Sequence, residues 1–176
     1  VGTNPEADGR TRGLASTLFG ISEGMTLGAN VASLPQDDRS GDYVGATLIG
    51  TNDYFLWRLD GVGEARAGTA KRLSVQTALY GISIFGEHGI YDDFVSEQAT
   101  GTEGNLLVAR SRLRMDGVLP GFDSMQVPFS LFGERDRREQ GDLTTHLGAR
   151  VSTGWGRASV TNRIDWSMAE SGGNEE

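Results

Sequence analysis

Apolar and polar positions alternate with a period of two over most of the chain. From Leu143 to Trp155, one set of alternate positions reads Leu143, Thr145, Leu147, Ala149, Val151, Thr153 and Trp155. The other set reads Thr144, His146, Gly148, Arg150, Ser152 and Gly154. The next segment repeats the pattern: Ala158, Val160, Ile164, Trp166 and Met168 alternate with polar residues, and only Asn162 interrupts the apolar set. Earlier, Leu107, Ala109, Leu113 and Met115 alternate with Arg110, Arg112, Arg114 and Asp116. Successive side chains of a strand point to opposite faces, whereas a helix returns to the same face every 3.6 residues, so the pattern predicts strands.

Runs of this kind between turn signals number about ten, near 11–22, 25–34, 43–51, 54–66, 71–86, 90–97, 105–117, 123–134, 143–155 and 157–169. Tight links are expected at Glu23-Gly24, Asn52-Asp53, Glu87-His88-Gly89, Leu119-Pro120-Gly121 and Gly156, and longer polar links at 35–42, 67–70, 98–104 and 135–142. Short and long connections therefore alternate. The expected fold class is all-β, an antiparallel up-and-down meander of about ten strands, forming a transmembrane β-barrel or part of a larger one. Residues 1–176 read as a single barrel domain or barrel segment, with loop-like ends near 1–10 and 170–176.

Three features favour a membrane wall over a soluble sandwich. Several runs approach eleven residues, whereas strands of soluble sheets average about five or six, and a bilayer crossing at a tilt needs about ten. The apolar set is punctuated by small residues (Gly61, Gly63, Ala65, Ala109, Ala149), a thin lining for a close-packed core and an adequate one against lipid tails. The polar set carries Arg58, Asp60, Glu64, Arg66, Arg110, Arg112, Arg114, Arg150, Arg163 and Asp165, which in a lumen would brace the wall through cross-strand pairs. Of these, Arg58, Asp60, Glu64, Arg110, Arg112, Arg114, Arg150 and Arg163 are the candidate lumen-lining residues. Phe55, Trp57 and Trp155 stand beside predicted tight turns, and Trp166 stands on the far part of the following strand. All four are on the apolar set, as two interfacial aromatic girdles would require.

Composition narrows the function classes. The chain has 24 acidic and 16 basic residues, for a net charge of −8, and every base except Lys71 is arginine. An acidic chain lacks the basic footprint of a nucleic-acid partner. No cysteine is present, which excludes a disulfide scaffold and thiol chemistry. The opening Val-Gly-Thr-Asn has no basic n-region or apolar h-region, as expected of a mature form or an excerpt. No segment approaches the 18 apolar residues of a spanning helix.

Catalytic and metal chemistry find little support, and no enzyme, cofactor or metal is expected. His88 and His146 are too few for a metal cluster. Asp92-Asp93 near His88 invites comparison with ten-stranded outer-membrane proteases, the least favoured alternative. Glu134 to Glu139 reads as a solvated loop, with a functional reading as an extracellular loop whose arginines bind lipopolysaccharide phosphates. Asp37-Asp38 with Asp42 lacks the spacing of a Ca²⁺ loop. No glycine-rich nucleotide motif precedes a helix.

Leu14 to Trp166 resembles the barrel of fimbrial usher-like outer-membrane proteins. The phrases that carry it are Leu18-Phe19-Gly20-Ile21 leading to Met25-Thr26-Leu27-Gly28-Ala29, then Tyr43-Val44-Gly45-Ala46-Thr47-Leu48. Later come Tyr91-Asp92-Asp93-Phe94-Val95-Ser96-Glu97 and Arg110-Ser111-Arg112-Leu113-Arg114-Met115-Asp116-Gly117. The resemblance implies residence in a Gram-negative outer membrane, contact with its lipid and lipopolysaccharide, and a polar-lined secretion channel for protein subunits. The alternative is a soluble, secreted β-sandwich or β-barrel acting in binding or adhesion.

Overall fold

A computed structural model describes residues 13–35, 40–64, 68–94, 105–120, 126–155 and 158–172. Its ten strands are β1 (Gly13–Ser22), β2 (Met25–Pro35), β3 (Ser40–Thr51), β4 (Phe55–Glu64), β5 (Thr69–Leu79), β6 (Ile82–Asp92), β7 (Leu107–Pro120), β8 (Gln126–Arg138), β9 (Leu143–Trp155) and β10 (Ala158–Glu170). They form one antiparallel sheet in chain order, each strand paired with its sequence neighbours. The meander agrees with the alternation. The sheet is not closed: β1 pairs only with β2 and β10 only with β9, so each presents an open edge.

Connections are short at one end of the sheet and longer at the other. At the short-turn end, Asn52 closes the β3–β4 link with its side chain, whose Oδ1 accepts from the main-chain N–H groups of Tyr54 and Phe55 at 2.9 and 2.8 Å. This is the Asx-turn chemistry that makes Asn a turn residue.

Two boundaries differ from the sequence expectation. The β5–β6 link is Tyr80-Gly81, not Glu87-His88-Gly89, and both turn residues have positive φ, 50° and 78°. A two-residue hairpin turn needs that geometry because it matches the twist of the flanking strands. Tyr80 is an uncommon occupant of such a turn, and its apolar neighbours hide the break. The second difference is β8, which runs on to Arg138. Glu134 to Arg138 is therefore strand, and only residues 139–142 form the link to β9.

Pairing is staggered. The level through Phe19, three residues from the end of β1 at Ser22, passes through Leu27, Leu48, Leu59, Leu73 and His88. It arrives at Met168, ten residues from the start of β10 at Ala158. Progressive stagger of this sign and regularity belongs to tilted strands in a curved wall.

Glycines in the strands are covered by aromatic rings from their paired residues. A Cβ at Gly50 would fall within the Trp57 indole, one at Gly117 would meet the Phe129 ring, and one at Gly148 would meet Phe132. In each case glycine and aromatic are directly opposite in register. The ring restores the packing that a strand glycine gives up.

The sheet has no second layer. Among the described residues no large side chain is fully buried, and the core amounts to a small cluster of Tyr43, Ala70 and Phe94 with Ala32, Val62 and Tyr91 against it.

Candidate functional site

Register assigns every described strand residue to one of two faces. Arg58, Asp60 and Glu64 of β4 share a face with Arg110, Arg112 and Arg114 of β7, Arg150 of β9 and Arg163 of β10. The structure thus brings all eight sequence candidates to one side. Phe55, Trp57 and Trp166 stand on the other side, and the Trp155 side chain lies outside the described residues.

The charged face is organised as a ladder across six strands. Thr47 of β3 donates to Asp60 of β4 at 2.7 Å, and Asp60 also accepts from Arg58 at 2.8 Å and from Arg72 of β5 at 3.0 Å. Arg72 reaches Glu87 of β6 at 3.7 Å, and Glu87 also faces Arg112 of β7 at 3.6 Å. Arg112 bonds Glu134 of β8 at 2.6 Å. Arg110 then joins Glu134 at 3.7 Å to Asp136, to which it donates at 2.7 Å. Each rung alternates in sign with its neighbour on the next strand, the arrangement that lets opposite charges across a sheet attract.

Arg72, Glu87, Glu134 and Asp136 are the rungs that the sequence reading missed. With β5 extended through Tyr80, every residue beyond the true turn is placed on the wrong strand, so Glu87 falls in a supposed turn instead of opposite Arg112. With β8 cut short, Asp136 falls in a supposed loop. Both signals were present: Gly81 marks the first break, and Glu134-x-Asp136 keeps the two-residue period that matches Arg110-x-Arg112.

The chain leaving β6 crosses this face. Asp93 has φ 48° and turns the backbone so that Phe94 meets Tyr43 of β3 edge-on, with ring centroids 5.8 Å apart. Gly68 makes the crossing possible. It has φ 68°, and a Cβ there would strike the Asp93 carbonyl. Beneath Phe94 is a cavity of about 230 Å³ walled by Asp60, Arg72, Glu87, Tyr91 and Arg112.

The remaining charges are more open. Arg114 pairs with Asp116 at 2.7 Å and Arg163 with Asp165 at 2.6 Å, each two residues along its own strand. Arg150 lies opposite Arg163 in register and has no bonded partner among the described residues. The face also carries apolar members, among them Leu56, Phe85 and Phe132, so it is mixed where the alternation implied a uniformly polar lining.

Other expectations are corrected or fall outside the described residues. His88 is in mid-strand on β6, where its Nδ1 is 2.9 Å from the Ser111 hydroxyl, and it occupies the face opposite the ladder. The Arg135–Arg138 run is strand, which overturns its reading as a loop. Asp37 and Asp38 lie outside the described residues, and Asp42 accepts from Ser33 at 2.8 Å. No group of three metal-ligating side chains occurs among the described residues. No family model, curated protein or solved structure matches the chain.

Proposed function

We propose that this chain is wall of a membrane β-barrel, with the ladder face lining an aqueous passage and the opposite face meeting lipid. The observation that carries the reading is the uncovered apolar face. Ile164 is 72% exposed, Phe19 63%, Val160 55% and Trp166 50%, with nothing packed over them among the described residues. Soluble monomers rarely leave a continuous apolar surface of this extent in water. Hydrocarbon accepts it, provided that every strand edge finds a partner, because backbone N–H and C=O groups have no water to bond there. The edges of β1 and β10 would be paired with each other or with further strands of the same barrel.

The sandwich alternative calls for a second sheet across the apolar face, and these ten strands make one sheet. The resemblance to usher barrels adds a cargo, protein subunits crossing a Gram-negative outer membrane, and with it the lipopolysaccharide-bearing leaflet as surroundings. That finer identity rests on the sequence phrases alone.

The absence of native cysteine makes a direct test possible. Single cysteines at 146, 147, 149 and 150, each carrying a spin label, would be scanned in lipid vesicles with a water-soluble and a lipid-soluble relaxation agent. The expected result is alternation: positions 146 and 150 respond to the aqueous agent, and 147 and 149 to the lipid-phase agent. A chain whose positions 147 and 149 respond to neither agent buries that face in protein and is not a lipid-facing wall.

A further inference from the structure

The face opposite the ladder is not uniform from end to end. Toward the short-turn end it presents Ile21, Met25, Phe55, Leu79, Ile82 and Val127, with no charged strand residue on that half of the face among those described. Toward the long-loop end it presents Lys71 on β5 and both Arg135 and Arg137 on β8. None of the three is bonded to a carboxylate among the described residues, in contrast to the arginines of the ladder. Asp92 and Glu170 lie on the same face, each at the terminal residue of its strand.

The height of these cations is informative. Lys71 is eight residues from the short-turn end of β5 at Leu79, and Arg135 is nine from that of β8 at Gln126. Trp166, the candidate upper-girdle aromatic, is eight residues from Ala158. At about 3.3 Å per residue on a tilted strand, all three reach the upper border of an apolar band about 25 Å tall. Three strands separate Lys71 from Arg135 and Arg137, so the cations frame a patch about 14 Å wide at the usual strand spacing. Ser111, bonded to His88, lies between them as a hydroxyl-bearing floor.

On the reading proposed above, we infer that Lys71, Arg135 and Arg137 form a binding patch for the phosphate headgroups of anionic lipid, on the leaflet at the long-loop end. Unpaired guanidinium and ammonium groups at the edge of hydrocarbon are satisfied by phosphate oxygens, and arginine offers them a two-pronged fit. The chemistry first read in a loop belongs instead to two strands and to the outer surface of the wall.

Quenching of tryptophan fluorescence by acyl-brominated lipids tests this on the full chain in vesicles. Brominated phosphatidylcholine reports contact with lipid, and brominated phosphatidic acid, competing with it, reports preference for a phosphate monoester. A several-fold preference for phosphatidic acid is expected, retained in K71R/R135K/R137K and lost in K71Q/R135Q/R137Q, by about fivefold per cation at most. Quenching by phosphatidylcholine should be the same in all three proteins. Undiminished preference in the glutamine variant, or none in the parent, overturns the patch while leaving the wall intact. No quenching by phosphatidylcholine in the parent removes the wall itself. Millimolar inorganic phosphate should act only as salt of equal ionic strength does, and selective abolition of the preference by it would overturn the assignment to lipid.

Discussion

Strands β4–β8 and strands β9–β10 carry similar side chains on one face of one sheet, yet they assemble them differently. In β4–β8, acids and bases alternate from strand to strand, and each shared carboxylate holds two arginines: Asp60 holds Arg58 and Arg72, and Glu87 faces Arg72 and Arg112. In β9–β10, Arg150 faces Arg163, and the latter turns along its own strand to Asp165. The same inventory gives a network where register opposes unlike charges and isolated pairs where it opposes like ones. Exposure follows the same division. The Glu87 and Asp136 side chains are 12% and 10% exposed, against 66% for Arg163. Position in the register, more than residue type, decides what an arginine contributes here.

That contrast can be broken by substitution. Asp136→Ala leaves Arg110 half-buried without its main partner, and a stability loss of about 3 kcal/mol is expected, read as a lower urea midpoint. A loss below about 1 kcal/mol would mean that the ladder is ornamental. Glu87→Gln releases two guanidinium groups into the passage, so bilayer recordings should show a shift of ion preference toward anions with folding largely kept. Unchanged reversal potentials would argue that the ladder does not face the conducting path. Phe94→Ala removes the ring that crosses the charged face, and larger unitary conductance is expected from a passage freed of that obstruction. Smallest of all, Arg163→Ala should cost well under 1 kcal/mol, as exposed pairs do. A loss as large as that of Asp136→Ala would erase the distinction between the two regions.

The fold was legible in this chain because a two-residue period survives in nearly every strand, and Leu143–Met168 reads off its two faces almost without error. The candidate face was legible to the same degree, since Arg58, Asp60, Arg110, Arg112 and Arg114 sit on strands whose phase was right. The ladder itself was not. A cross-strand pair depends on the position of the turn between strands, and one misplaced turn displaces every partner beyond it. Tyr80 in a left-handed conformation gave no sequence warning. The crossing of Phe94 to Tyr43 was illegible for another reason. It joins β3 to the chain after β6, and nothing local in either segment encodes the meeting.

The stagger of the strands gives the ladder a shape of its own. Asp60 lies five residues above the short-turn start of β4, whereas Asp136 lies ten above that of β8. The rungs therefore ascend as they go round the wall, like the treads of a spiral stair. Anything moving along such a passage meets its charges one after another at successive depths. It is handed from tread to tread along a winding track, and at no depth does it face a complete ring of charge.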